Sequence, residues 1–194
     1  MHNSPTVRII VAKNRNVSRW SGGTTEELYI SPKSAKYSKM NFDYRVSLAT
    51  VDTSTSIFTP LPKVNRTTLI LEGEIELTHT GQYTKSLKKF NQDSYSGEWE
   101  TSSIGTSTNF NLMTRGKTNG KVVAHSLELD QQIICRKADH TLVYCRKGNL
   151  GVVVKNDALL IEEGSLLVLE DSNFSMIIKA LEESEIIVVS IHHV

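Results

Sequence analysis

The sequence predicts an all-β protein organised as two small β-barrels in one chain of 194 residues. Three observations carry this. Apolar and polar residues alternate with period two over short runs, the pattern of half-buried strands. Turn signals rich in Gly, Asn and Asp interrupt these runs at roughly the 8- to 12-residue spacing of sandwiches and barrels. A layout of strand, charged residue before glycine, and second strand recurs at an offset of 75 residues, in NRTTLILEGEIEL (65–77) and HTLVYCRKGNLGV (140–152). Such an internal echo predicts a repeated unit.

Taken in order, strands are expected at TVRIIV (6–11), YRVSLATV (44–51), TTLILEGEIELT (67–78), NFNLMT (109–114), HTLVYC (140–145), LGVVVK (150–155), SLLVLE (165–170) and IIVVSIHHV (186–194). The turns between them are expected at EGE (72–74), HTGQ (79–82), YSGE (95–98), RKGN (146–149), KNDA (155–158) and EEGS (162–165). RGKTNGK (115–121) is the most linker-like stretch. It divides the chain into a first barrel over 1–118 and a second over 119–194, with the N-terminal strands free to be exchanged between them. No long amphipathic helix is visible. KSLKKFNQDS (85–94) could form a turn or two of helix, although its Asn, Asp and Ser oppose even that.

Composition narrows the function classes. Lys and Arg total 22 against 21 Asp and Glu, so no long-range field gathers nucleic acid or anionic lipid. No apolar run approaches the roughly 20 residues that cross a bilayer. The N-terminal stretch is interrupted by Arg8, Lys13 and Arg15 and does not read as a secretory signal, so a cytoplasmic location is the expectation. Cys135 and Cys145 match neither a redox pair nor a zinc knuckle and are expected to be buried small hydrophobes.

The most unusual stretch is RWSGGTTEELYISP (19–32). It has no lysine after its glycines and no GxGxxG, so it does not cradle phosphate. The histidines are His2, His79, His125, His140, His192 and His193, without the ligand spacing of a metal site. No GxSxG elbow is present, and neither cysteine has a base nearby in sequence. What remains is polar residues on strand-like segments. Arg45, Ser47 and Ala49 share one face of their strand, and Asn109, Asn111, Met113 and Arg115 share one face of theirs. These faces are either the wet outside of a sheet or a barrel interior that turns polar at one end, where arginines hold a small anion.

In order and spacing, RWSGGTTEELYISP, YRVSLATV, IFTPLPKVNRTTLILEGEIEL and NFNLMTRGK resemble the HutD/Ves family of bacterial proteins over about residues 8–120. The resemblance implies a bicupin, two cupin-type β-barrels in one chain. In metal-binding cupins a glutamate ligand stands seven residues before the glycine of the first long hairpin. Here that position, counted from Gly73, is Arg66, and the equivalent position before Gly148 is Thr141, beside His140. An arginine repels a cation at short range and attracts a carboxylate, so the implied site takes a small carboxylate with neither metal nor cofactor. The family includes proteins encoded with histidine-utilisation enzymes, which implies a link to that pathway or its regulation. Site residues carried over are Trp20, Thr24, Thr25, Glu26, Arg45, Ser47, Arg66, Asn111 and Arg115. The alternative is a cupin-type isomerase, hydrolase or oxygenase with Glu26 as general base, unless Glu26 merely pairs with an arginine. This sequence departs from the family pattern at Lys63, Asn65 and Asn109, where glycine, aspartate and aspartate are expected. No nucleic-acid or membrane partner is expected, and a homodimer is possible.

Overall fold

The computed structural model describes residues 6–170 and 174–193. The elements are β1 (Thr6–Ile10), β2 (Asn16–Trp20), β3 (Gly23–Ser31), β4 (Tyr44–Val51), β5 (Thr55–Phe58), β6 (Val64–His79), β7 (Tyr83–Lys88), β8 (Gln92–Ser96), β9 (Thr101–Arg115), β10 (Thr118–Leu127), β11 (Gln132–Cys135), β12 (His140–Lys147), β13 (Leu150–Val154), β14 (Asp157–Ile161), β15 (Leu166–Glu170), β16 (Met176–Ala180) and β17 (Ser184–His193). Two short 3-10 turns, Ala12–Asn14 and Tyr37–Lys39, are the only helical residues among those described. The all-β expectation holds, and the ladders of β1–β9 and β11–β16, with that of β12 and β17, are antiparallel.

The chain divides into two compact units, Arg15–Thr118 and Asn119–Val194 joined by the chain before Arg15. The Arg15–Thr118 unit is an eight-stranded sheet organised by two long partners, β6 and β9. The first half of β6 pairs with β8 and its second half with β7, while β9 pairs with β5 early and β4 late. A register shift between Ile70 and Glu72 bends this pair, and Gly73 sits there at φ 79. A Cβ on Gly73 would stand 2.3 Å from the Thr106 carbonyl oxygen. The expected EGE turn is therefore a bulge inside one 16-residue strand. KSLK (85–88) is also extended, because Leu87 pairs across from Ile75 and buries with it, and the chain then turns at Phe90.

In the other unit a five-stranded sheet, β1-β15-β12-β17-β10, and a four-stranded sheet, β11-β16-β13-β14, share one aliphatic core. Val143, Leu167, Leu169, Ile186 and Val188 come from the first sheet; Leu150, Val152, Met176 and Ile178 come from the second. Cys135 and Cys145 are free thiols buried in this core. Burial raises Cys135 to about 11 and, with the nearby carboxylates of Glu163 and Glu182, Cys145 to about 12. The boundary between the units falls within RGKTNGK, between Thr118 and Asn119, although the chain there is ordered, turning at Gly116 and entering β10 at Thr118. No sheet closes on itself among the described residues.

Candidate functional site

The Arg15–Thr118 unit contains a cavity of about 360 Å3, within the range of small-molecule sites. Its floor follows from strand parity. On β4, Arg45, Ser47, Ala49 and Val51 point inward, and their direct partners on β9 are Met113, Asn111, Asn109 and Ser107. β6 continues the same rows with Arg66 opposite Met113 and Thr68 opposite Asn111.

Thr25 faces the cavity from β3, where it pairs with Ala49. Its neighbours Thr24 and Glu26 do not line it, because consecutive residues of an extended strand face opposite ways. Glu26 instead binds Arg15 Nη1 through Oε1 at 2.9 Å. The carboxylate that reaches the inner row is its neighbour Glu27, which binds Arg45. Arg115 also lies outside the lining: its guanidinium sits 5.7 Å over the Phe42 ring, and its Nε is buried without a partner. The structure thus brings together Trp20, Thr25, Arg45, Ser47, Arg66 and Asn111 and leaves Thr24, Glu26 and Arg115 elsewhere.

Three arginines line the cavity, Arg19, Arg45 and Arg66; Arg19 is exposed, and the other two are in different states. Arg45 is buried and fully engaged: Nε donates to Glu27 Oε2 at 2.7 Å, Nη1 to Ser47 Oγ at 3.4 Å, and the guanidinium lies 4.4 Å from the Tyr37 ring centre. Its charge is compensated. Arg66 lies over Phe58 and Tyr95, 5.3 and 5.5 Å from their centres, and makes one long hydrogen bond to the Thr59 carbonyl at 3.5 Å. No carboxylate among the described residues pairs with it. Aromatic faces hold the guanidinium by cation–π attraction while leaving its in-plane N–H groups to a ligand.

The amides add to this donor character. Asn111 Oδ1 accepts from Thr68 Oγ1 at 2.9 Å, and Asn109 Oδ1 accepts from Ser107 Oγ at 2.8 Å. With both oxygens engaged by hydroxyls, each amide keeps its NH2 donors for the cavity. Because the Thr68 proton goes to Asn111, the Tyr95 hydroxyl, 3.4 Å away, donates to Thr68. Trp20 also lines the cavity, and its Nε1 is buried without a partner. Its indole meets Phe58 edge-on at 6.2 Å. Gly22 makes room for it, since a Cβ there would stand 2.2 Å from Trp20 Cζ3.

Behind Tyr95 lies a polar cluster. Asp93 accepts from Lys85 Nζ at 2.9 Å and Tyr83 OH at 3.0 Å, and pairs with His79 Nε2 at 2.9 Å; His79 Nδ1 meets Thr101 Oγ1 at 2.8 Å. Burial alone would raise the Asp93 carboxyl, but the hydrogen bonds from Lys85, His79 and Tyr83 outweigh it and hold the group below its ordinary range. Burial and the bond to Asp93 push the Tyr83 hydroxyl up to about 12. Sequence parity held the signal for His79, which follows Ile75 and Leu77 at two-residue steps along the inward face.

A cupin metal does not fit this lining. It contains arginines, amides and hydroxyls but no His, Cys, Asp or Glu, and among the described residues no three such side chains converge anywhere. No described helix is long and apolar enough to cross a membrane.

The sequence model of the HutD family matches residues 12–188. In three dimensions the chain is similar to the conserved protein PA5104 from Pseudomonas aeruginosa PAO1, with a TM-score of 0.85, 18% identity, and 96% of this chain and 99% of that one covered. It is also similar to HutD from Pseudomonas fluorescens SBW25, in a structure described as a formate condition (TM-score 0.74, 16% identity, 97% and 100% covered). The bacterial pirin YhhW from Escherichia coli, solved with nickel(II), matches at a TM-score of 0.72 and 11% identity over 97% and 100%. Cupin 2 and oxalate decarboxylase structures are also similar, which makes the fold cupin-like. A search of functionally curated sequences returns no match.

Proposed function

The chain belongs to the HutD family, and we propose that its Arg15–Thr118 unit binds a small carboxylate metabolite, as a regulator or metabolite buffer in histidine utilisation. The observation that carries this reading is Arg66: a guanidinium facing a cavity, held by aromatic rings and without a carboxylate partner. Arg66 is half-buried, so its guanidinium is partly stripped of water without a carboxylate partner, and a bound carboxylate compensates the charge while accepting two parallel N–H bonds. The Asn109 and Asn111 amides offer further donors to the same ligand.

The two-barrel arrangement belongs to this proposal. Gly73 and Gly148, 75 residues apart, adopt φ 79 and φ 82, which supports two related units. The enzymatic alternative draws less support, because Glu26, its general base, is tied to Arg15 away from the cavity.

Calorimetric titration with urocanate, formylglutamate, glutamate and formate tests the reading. At least one should bind, and Arg66→Ala should weaken it by about 10- to 100-fold, the value of a charge-assisted hydrogen-bond pair. Absence of binding by all four at millimolar concentration defeats it.

A further inference from the structure

Two rows of side chains cross the cavity floor, and both begin outside it, on β8. Tyr95 is the direct partner of Arg66, and the row continues through Met113 on β9 to Arg45 on β4. Asp93 begins the neighbouring row, which runs through Thr68 and Asn111 to Ser47. Direct partners in a ladder share a face, so both β8 residues stand on the face that carries the cavity, yet neither lines it. Tyr95 is 5% exposed and packs in a core with Phe58, Ile70 and Leu77. From there it reaches both rows. Its ring centre lies 5.5 Å from the Arg66 guanidinium carbon in its own row. Its hydroxyl donates at 3.4 Å to Thr68 in the next, whose own proton goes to Asn111 Oδ1 at 2.9 Å.

We infer that Tyr95 is the positioning residue of the candidate site: its ring seats the Arg66 guanidinium, and its hydroxyl, through Thr68, sets which way the Asn111 amide faces. Phe58 also supports Arg66, at 5.3 Å, but it has no polar group with which to reach the amide row. Tyr95 is itself held from behind. Beyond the bulge between Ile70 and Glu72, β6 presents His79, whose ring lies 4.3 Å from that of Tyr95 at a tilt of 43°. The imidazole is fixed at both nitrogens, Nδ1 by Thr101 Oγ1 at 2.8 Å and Nε2 by Asp93 Oδ2 at 2.9 Å. Asp93 precedes Tyr95 by two residues on β8, so the clamp is anchored on the strand that carries the ring. An arginine is long and flexible, and a seat that holds its guanidinium in place before a ligand arrives removes an ordering cost from binding. The flat ring also leaves the in-plane N–H groups free. The functional meaning of this seat rests on the carboxylate reading of the cavity, whereas the seating is a property of the protein alone.

Nuclear magnetic resonance of the full chain separates the two tasks without any ligand. The Arg66 Nε–H and Asn111 NH2 signals are identified by their loss in Arg66→Ala and Asn111→Ala. Tyr95→Phe keeps the ring and nearly the whole core volume, so the Arg66 signal, displaced by ring currents, should stay while the Asn111 pair moves. Tyr95→Leu removes the ring as well, and both should move. A purely structural role would shift the two signals together or not at all. Unmoved Asn111 signals in Tyr95→Phe overturn the inference, as does an unmoved Arg66 signal in a folded Tyr95→Leu; Tyr95→Phe alone decides if the leucine variant does not fold. Titration measures the consequence. Tyr95→Phe should weaken whichever of urocanate, formylglutamate, glutamate and formate binds the wild type by about threefold, with no further loss in an Asn111→Ala background. The same loss in that background would overturn the inference, because Tyr95 would then act by another route. If none of the four binds while the two signals separate as expected, the carboxylate reading falls and the positioning by Tyr95 stands.

Discussion

Glu27 Oε2 accepts from Arg45 Nε at 2.7 Å, while Glu26, the preceding residue on β3, holds Arg15 instead. The pair compensates one of the three arginines that line the cavity and leaves Arg66 and the exposed Arg19 as the others. Glu27→Gln should therefore have two opposite effects. Carboxylate affinity should rise by roughly threefold or more, because Arg45 then adds uncompensated charge to the cavity. Stability should fall by about 1–3 kcal/mol, at the low end for a broken buried pair because a quarter of Glu27 faces water. Calorimetry and urea melts read the two effects separately, and a weaker-binding variant would show that Arg45 needs Glu27 for its position. Glu26→Gln, on the opposite face, should leave affinity unchanged.

Thr68 relays between Tyr95 and Asn111. Thr68→Val keeps the shape of the side chain but removes the hydroxyl, so the Asn111 oxygen loses its donor and the amide is free to turn. A loss of about 1–2 kcal/mol in urea melts is expected, together with several-fold weaker binding. Thr67→Val, whose hydroxyl meets Ser94 on the exposed face, is the control and should bind normally.

Strand existence was legible in the sequence because period-two alternation is a local property. YRVSLATV became β4 with the bounds expected, and Arg45, Ser47 and Ala49 share its inner face. Asn111 and Asn109 were legible by the same parity on β9. The bend of β6 was not, since a glycine between glutamates signals a hairpin turn and a bulge equally well until the partner strand is known. Thr24, Thr25 and Glu26 were grouped by motif, yet an extended strand sends neighbours to opposite faces, so only Thr25 reached the cavity. Tyr37 and Phe58, which flank the arginines, come from segments whose position depends on tertiary packing and carry no periodic signal.

Gly22 determines where Trp20 sits. A methyl group there would approach Trp20 Cζ3 to 2.2 Å and Ser56 Oγ to 2.5 Å, so Gly22→Ala must displace the indole from the cavity wall. Tryptophan fluorescence should shift to longer wavelength as Trp20 gains water, and carboxylate affinity should fall as the cavity loses that wall. An unshifted spectrum with unchanged affinity would mean that the wall adapts without Trp20.

The His79–Asp93 cluster gives the fold its acid limit. The Asp93 carboxyl is held below its ordinary value of 3.8 in the folded state, so the unfolded chain binds that proton first as pH falls. Stability linked to Asp93 is fully present above about pH 4 and is lost as pH drops through the lower folded value. Asp93→Asn cannot titrate, and it leaves His79, Lys85 and Tyr83 without an anionic acceptor. The variant should therefore be less stable at neutral pH, and the gap to wild type should narrow below about pH 4. Tyr83 works at the opposite end: its pKa is raised from 10.0 to about 12, so its contribution is complete below pH 10 and is lost as pH rises towards 12. Tyr83→Phe should remove that alkaline component and, by deleting one of the hydrogen bonds that lower Asp93, shrink the acid one. Denaturant melts of wild type and both variants across these two windows check the assignment, and parallel curves for wild type and Asp93→Asn from pH 3 to 7 would remove Asp93 from the acid limit.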